Sequence, residues 1–325
     1  MNRVVSSPAL DIETLPFLHE SQRDLVRLHP DWVTFEPFAP VGTPIVFERF
    51  DPHTGTRQIH SMNADGSDVA NLSRNPAYHD GTPAWSPDRT KIVFARAAAN
   101  AGIYSLWLMN PDGTQQVQLT TPPAGKWDVE PIWSPDGSKL AFTRFYEIWT
   151  CNRDGSNAQP LIDYDAKSPV ADHMPTWRSD SRAIAFCREW LGFGIIAVAE
   201  TTTPSPVVRY VTAPNKGRWD AWPAWSPKSD RIAFTRNDYR EMQVWTIDAG
   251  GDTATERPLS HPDSAHGVFD QAPCWSNDGM MLGFHRTQHV TQHIWTMDAD
   301  GGNQEDLSAI GKPYGDPSDF FPNWA

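Results

Sequence analysis

The chain is short of the features by which many protein classes announce themselves. It holds three cysteines, Cys151, Cys187 and Cys274, in 325 residues. Three thiols cannot form a complete disulfide set, and all three fall in predicted strands, so buried free thiols in a reducing compartment are expected. No apolar run is long enough to span a bilayer. The opening Met-Asn-Arg-Val-Val-Ser-Ser-Pro-Ala-Leu-Asp-Ile-Glu lacks the apolar core of a secretory signal, so a cytoplasmic location is expected. Basic residues are outnumbered, 27 Lys and Arg against 40 Asp and Glu, for a formal net charge of −13. Without clusters of Lys and Arg, nucleic acid is excluded as a partner. There is no nucleophile elbow, phosphate loop or zinc-protease helix motif, and no Asp-Gly turn has the carboxylate spacing of a calcium loop.

What the chain does have is a repeat. Asp-x-x-Pro-x-Trp occurs six times: Asp80 to Trp85, Asp128 to Trp133, Asp172 to Trp177, Asp220 to Trp225, Asp270 to Trp275 and Asp319 to Trp324. The prolines are 44 to 50 residues apart, a period that predicts a blade-by-blade propeller. After each of the first five Trp comes a turn such as Ser86-Pro-Asp-Arg89 or Ser134-Pro-Asp-Gly137, in which Pro fixes φ and Asp or Gly accepts the later positions. A short apolar strand follows (Ile92-Val-Phe94, Leu140-Ala-Phe142, Ile184-Ala-Phe186, Ile232-Ala-Phe234, Leu282-Gly-Phe284), then a strand of the type Leu106-Trp107 or Ile148-Trp149, then a turn such as Asn110-Pro-Asp-Gly113. Two hairpins of this kind make a four-stranded antiparallel blade. Residues 45–49 (Ile-Val-Phe-Glu-Arg) match a second strand with no Pro-x-Trp strand before them, while Pro322-Asn-Trp324 is left over at the far end. Their pairing would close the ring and remove exposed sheet edges. The predicted fold is therefore all-β: six four-stranded blades over residues 44–325, closed by the C-terminal strand against residues 45–49.

The motifs Pro-x-Trp-Ser-Pro-Asp-Gly, Ile-Ala-Phe and Ile-Trp-x-Met-Asp-x-Asp-Gly, read over residues 44–325, resemble the TolB-type propeller repeat. The resemblance implies the propeller fold. For function it implies a range, since such propellers serve as partner-binding platforms, as accessory domains of peptidases, and as lyases or hydrolases. Nothing in the sequence matches the α/β domain that precedes the propeller in TolB. The fourth repeat departs from the pattern: after Ile195 and Ile196 it reads Thr201-Thr-Thr-Pro-Ser-Pro206, with no Asp-Gly turn. Residues 1–43 are not repeat-like; residues 19–28 could form a short amphipathic helix, and the segment is expected to pack on the propeller.

Each repeat Asp has a matching Arg at the end of Phe-x-Arg, 16 residues on in five cases: Asp80 and Arg96, Asp128 and Arg144, Asp172 and Arg188, Asp220 and Arg236, Asp270 and Arg286. The sixth pair, Asp319 and Arg49, would form across the closure. The hairpin register brings each Asp and Arg to the same end of the sheet. Six carboxylates around an axis could hold a cation, but a carboxylate beside a guanidinium pairs bidentately, and structural ion pairs are the expectation.

Side chains that differ between repeats carry the functional expectation. The loops leading into the Asp read Tyr78-His79-Asp80, Gly125-Lys126-Trp127-Asp128, Gly217-Arg218-Trp219-Asp220 and Gly267-Val-Phe269-Asp270. Loops on a rigid scaffold are where binding groups are usually placed. Tyr78, Trp127, Trp219 and Phe269 supply flat faces, Lys126 and Arg218 charge, and Glu130, Trp222 and Gln271 lie just beyond. Such a funnel suits a sugar-like small polar molecule or a segment of a partner protein. His79, His173 and His266 fall in alternate loops and, if they converged, could bind a divalent metal. That would make them the catalytic candidates of a metal-assisted lyase or hydrolase, chemistry similar to that of propeller lyases acting on uronic-acid oligosaccharides. His285, His289 and His293 add candidates in the last repeat.

Overall fold

The computed structural model describes residues 44–325 except 101, 163–169, 191–192, 204–205, 216, 239–240, 289–290, 309–317 and 325. Residues 1–43, with the helix expected at 19–28, lie outside the described residues. The strands, in chain order, are β1 (Ile45–Asp51), β2 (Thr56–Met62), β3 (Ala70–Asn71), β4 (Tyr78–Trp85), β5 (Ile92–Ala98), β6 (Ser105–Met109), β7 (Val117–Gln118), β8 (Asp128–Trp133), β9 (Lys139–Arg144), β10 (Glu147–Asn152), β11 (Gln159–Pro160) and β12 (Val170–Trp177). They continue as β13 (Ala183–Trp190), β14 (Phe193–Glu200), β15 (Arg209–Tyr210), β16 (Trp219–Trp225), β17 (Arg231–Asn237), β18 (Met242–Asp248), β19 (Arg257–Pro258), β20 (Val268–Trp275), β21 (Met281–Gln288), β22 (Thr291–Asp298), β23 (Glu305–Asp306) and β24 (Asp319–Trp324). The chain is nearly all-β.

Four sheets have four antiparallel strands: β4–β5–β6–β7, β8–β9–β10–β11, β20–β21–β22–β23 and β24–β1–β2–β3. A fifth sheet has eight strands, because β12 to β15 and β16 to β19 are joined by a single parallel bridge between Gly194 and Trp219. The C-terminal strand pairs with β1 in the register Ile45 to Trp324 and Arg49 to Asp319.

The repeat motif maps onto this pattern position by position. The Phe of Phe-x-Arg (Phe47, Phe94, Phe142, Phe186, Phe234, Phe284) is fully buried in every repeat. The following Arg lies over that ring and, in four repeats, also over the Trp of the third strand: Arg96 on Trp107, Arg144 on Trp149, Arg236 on Trp245 and Arg286 on Trp295, at 4.3–5.0 Å. Held this way, its Nε and Nη2 donate to the two oxygens of the repeat Asp. The distances are 2.6 and 2.7 Å for Arg96 on Asp80 and for Arg144 on Asp128, and 2.8 and 2.7 Å for Arg188 on Asp172. Arg236 on Asp220, Arg286 on Asp270 and Arg49 on Asp319 repeat the arrangement. All six Asp are buried. The hydroxyl that ends most units has a use as well: Ser73, Thr120, Thr212, Ser260 and Ser308 accept the amide of the third strand, at 2.9–3.0 Å.

Each Pro-x-Trp strand is interrupted just before its Pro. The register slips between Gly81 and Ala84, Val129 and Ile132, His173 and Thr176, Ala221 and Ala224, and Gln271 and Cys274, and β1 slips against β24 between Val46 and Glu48. The residue preceding Pro is left-handed in all six: Thr82, Glu130, Met174, Trp222, Ala272 and Phe321, with φ between 47° and 58°. That conformation is unfavourable for side chains with a Cβ, so the same strained bulge is imposed six times by its surroundings.

Neighbouring units interlock through the Asp-Gly turns. At Gly113 (φ 81°) an added Cβ would collide with the carbonyl of Leu72 in the preceding unit, and Gly155 and Gly301 sit in the same way on Leu119 and Leu259. Gly55 (φ 68°) has the same handedness with nothing nearby. Gly55→Ala should lower unfolding stability by about 1 kcal/mol through φ alone, whereas Gly113→Ala should lower it by about 3 kcal/mol, the clash adding to the strain. Urea denaturation of both variants measures the difference; equal losses would show that the turn does not bear on the neighbouring strand.

Candidate functional site

One cavity of about 460 Å³ collects the same stretch from all six repeats, running from the left-handed residue before Pro to the turn that follows Trp. Prolines and tryptophans make most of its wall, and they are common to all repeats. Besides the x of Pro-x-Trp (Ala84, Ile132, Thr176, Ala224, Cys274 and Asn323), the residues that differ are those on the bulge: Thr82, Glu130, Met174, Trp222, Ala272 and Phe321. The bulge explains their placement, because slipping the register by one residue re-aims a side chain that the strand's alternation would point elsewhere. Glu130 is fixed there by donors from the adjacent repeat and its own hairpin: its Oε2 accepts from the Met174 amide at 2.8 Å and from the Thr143 hydroxyl at 2.7 Å.

Of the nine side chains expected to bind a ligand, Glu130 and Trp222 line this cavity; the other seven lie outside its lining. Tyr78 packs on the Arg96 guanidinium at 4.9 Å. Lys126 sits over Phe145 at 5.5 Å, and Trp127 meets Phe145 and Tyr146 edge-on at 4.8 and 5.2 Å. Phe145 and Tyr146 form the two-residue turn between β9 and β10, both with positive φ. Arg218 donates to the Ala213 carbonyl at 3.1 Å and lies 3.3 Å from Asp220, so it joins a structural ion pair. Trp219 forms the bridge to Gly194, and Phe269 and Gln271 pair with Thr287 and His285 of β21. Thr82, Met174, Ala272 and Phe321 were not anticipated. Their sequence signal was the variable residue before an unvarying Pro.

The three histidines proposed as metal ligands and catalytic groups do not come together. His79 accepts the Arg57 amide at 3.4 Å, His173 lies 3.7 Å from Glu189 and edge-on to Tyr146, and His266 is 76% exposed and bound to Asp263 at 2.7 Å. Their offsets from the repeat Asp differ, so equivalent loops deliver them to different surroundings. Among the described residues no group of three or more His, Cys, Asp or Glu side chains could hold a metal ion. His293 is taken up by Asp306 at 2.7 Å.

A second ring of positions lies behind the cavity wall: the x of Phe-x-Arg, namely Glu48, Ala95, Thr143, Cys187, Thr235 and His285, all buried. Three of them accept the amide of a bulge residue in the next repeat: Thr143 that of Met174 at 3.2 Å, Thr235 that of Ala272 at 2.9 Å and Glu48 that of Thr82 at 3.4 Å. Three members can titrate, and burial raises the Cys187 thiol well above its usual range. Burial pushes the Glu48 carboxyl up to about 7, against the opposing pull of Arg57. Arg57 Nε is 3.2 Å from Glu48 Oε1, close enough to attract the charge but not aligned to hydrogen-bond it. Burial depresses the His285 imidazole to about 4. Its Nδ1 has no hydrogen-bond partner among the described residues, and its ring packs on Phe320 and Phe321.

No family profile matches the sequence, and no curated protein sequence matches it. Solved structures do. TolB from Acinetobacter baumannii superposes with a TM-score of 0.69 at 19% identity, over 88% of this chain and 67% of that one. The chain has a TolB-like β-propeller fold. A putative TolB from Agrobacterium tumefaciens gives 0.61 at 16% identity, over 87% of the propeller chain and 99% of its own. An oligogalacturonate lyase in complex with manganese gives 0.53 at 15% identity, over 83% and 74% of the two chains. At these identities the likeness concerns the fold.

Glu48 and His285 tilt the propeller's stability in opposite directions. Glu48 binds its proton more tightly folded than unfolded, so its contribution is full below pH 4.5 and is lost as pH rises through 7, by up to ~3 kcal/mol. His285 is harder to protonate when folded, so its contribution is present above 6.5 and is lost as pH falls through 4. Between pH 4.5 and 6.5 the two slopes oppose each other, so Glu48→Gln should leave stability rising more steeply with pH over that range and should remove the decline from there to pH 7. Thermal unfolding across that range would show it; an unchanged slope would mean that Glu48 is not held neutral.

Proposed function

We propose that the chain is a closed six-bladed propeller whose central cavity binds a segment of a partner protein, with a sugar-like small molecule as the competing occupant. Six four-stranded units and the pairing of β24 with β1 support the ring. The observation that carries the function is the cavity itself: each repeat contributes the same stretch to one wall, and the residue aimed inward differs from repeat to repeat. A wall built only to pack would have no use for six different side chains on six strained bulges, whereas a recognition surface needs them. Its volume falls within the range of ligand pockets, and a mostly apolar lining with few polar groups is usual for one. The likeness to a manganese-bound lyase raises a metal-assisted enzyme as a second reading, but the histidines that reading requires are dispersed among unrelated partners. Three unpaired cysteines support a cytoplasmic setting.

Closure and binding are tested separately. Trp324→Ala, in the C-terminal strand, should destabilise as much as Trp133→Ala in an internal one, about 3–5 kcal/mol by denaturant unfolding; a loss under about 1 kcal/mol at Trp324 alone would mean an open array. For binding, methionine methyl groups are labelled with ¹³C and screened against short peptides and oligosaccharides. A cavity ligand should shift the Met174 methyl and leave exposed Met280 in place, and Ala272→Phe should abolish the shift. Phe already occupies the equivalent position 321, so this variant should fold. Ligands that move Met280 but never Met174 would put the site elsewhere.

A further inference from the structure

Glu130 stands apart from everything else on the cavity wall. Among the described residues no Lys, Arg, His or Asp lines the cavity, so among them it is the only charged side chain there. Its carboxylate is held by two neutral donors, the Thr143 hydroxyl and the Met174 amide, both on Oε2. Oε1 takes no hydrogen bond from the described residues, and no ion pair within 4.0 Å involves either oxygen. This contrasts with the repeat Asp residues, each of which is matched to an Arg. The fixed, uncompensated negative charge therefore faces a wall whose bulge also carries the aromatic side chains Trp222 and Phe321.

From these residues we infer that the cavity recognises an organic cation, a guanidinium or alkylammonium group carried by the bound segment; this rests on the cavity being the binding site. An ordered carboxylate supplies the opposite charge, and aromatic faces attract a cation through their quadrupole. In a confined, largely apolar cavity both effects are screened less than in water. An inorganic cation is a poor fit, because Ca²⁺ and Mg²⁺ ask for six or more oxygen ligands and one carboxylate cannot replace that shell. A guanidinium is weakly hydrated, stacks on aromatic rings and sheds its water at small cost. An anion would meet no positive group among the described lining residues. The overall charge of −13 draws cations toward the protein in the same sense.

The test uses two probes of equal shape, n-butylguanidinium and neutral n-butylurea, titrated against full-length protein and followed at the ¹³C-labelled Met174 methyl. Butylguanidinium should bind at least about tenfold more tightly than butylurea. Glu130→Gln, which keeps the acceptor for Thr143 and Met174, should bring the two within about twofold of each other. In the unmodified protein the preference should shrink as NaCl is raised from about 0.05 to about 0.5 M, a readout that does not depend on any variant folding. If both probes shift Met174 equally, or Glu130→Gln keeps the preference, cation recognition is overturned and cavity binding stands. If neither probe moves Met174, cation recognition is overturned and the cavity reading loses its support with it.

Discussion

A guanidinium clamped between aromatic rings and a buried carboxylate holds each unit of this protein together. Left unpaired, either charge would be prohibitively expensive to bury, and breaking such a pair by removing one partner typically costs 3–5 kcal/mol. Here the Arg is flattened between the core Phe and, in four repeats, the Trp of the third strand, so that its Nε and Nη2 present a fixed fork to the two oxygens of the Asp. Because Asp lies on the first strand and Arg on the second, the pair pins one end of that hairpin. The loop that enters the unit, the bulge two residues downstream and the direction of the Pro-x-Trp strand all follow from that anchor. Charge here is structural; it is spent within the scaffold and is not presented to solvent.

The bulge is what turns a different side chain from each repeat toward the cavity. A proline alone would interrupt a ladder hydrogen bond, and the residue before it is ordinarily steered toward extended backbone. Here that residue is instead left-handed in all six repeats. The buried ring of x residues behind the wall meets this conformation with an acceptor for the freed amide, a hydroxyl at Thr143 and Thr235 and a carboxyl at Glu48. Frame and wall are thus separated within three residues of sequence: the Asp belongs to the frame, and the residue before Pro is free to vary as Thr, Glu, Met, Trp, Ala or Phe.

The scaffold was readable because its causes are local and repeated. The 16-residue spacing from Asp to Arg follows from hairpin register, and the spare Pro322-Asn-Trp324 was matched to residues 45–49 because the repeat left nothing else for either to pair with. The candidate cavity was less readable, because loops are where binding groups usually sit and the expectation was placed there. Trp127, Trp219 and Phe269 were chosen on that ground, and they pack against turn aromatics or neighbouring strands. The wall residues are strand residues, and only a slip of register turns them inward, something that alternation along a strand does not announce. The histidines failed for a different reason: residues in equivalent loops do not converge when their offsets from the repeat differ.

The partnership of β24 with β1 joins residues 270 positions apart, Arg49 to Asp319. On a ribosome, the outer edge of β1 must wait for β24. Until then, among the described strands, Ile45, Val46 and Phe47 are paired on the β2 side alone, while each later unit can complete its hairpins as it emerges. Among the described strands this pairing is a seam that is also a timestamp: the order of assembly cannot follow the order of translation there, and unpaired apolar backbone waits longest for its partner.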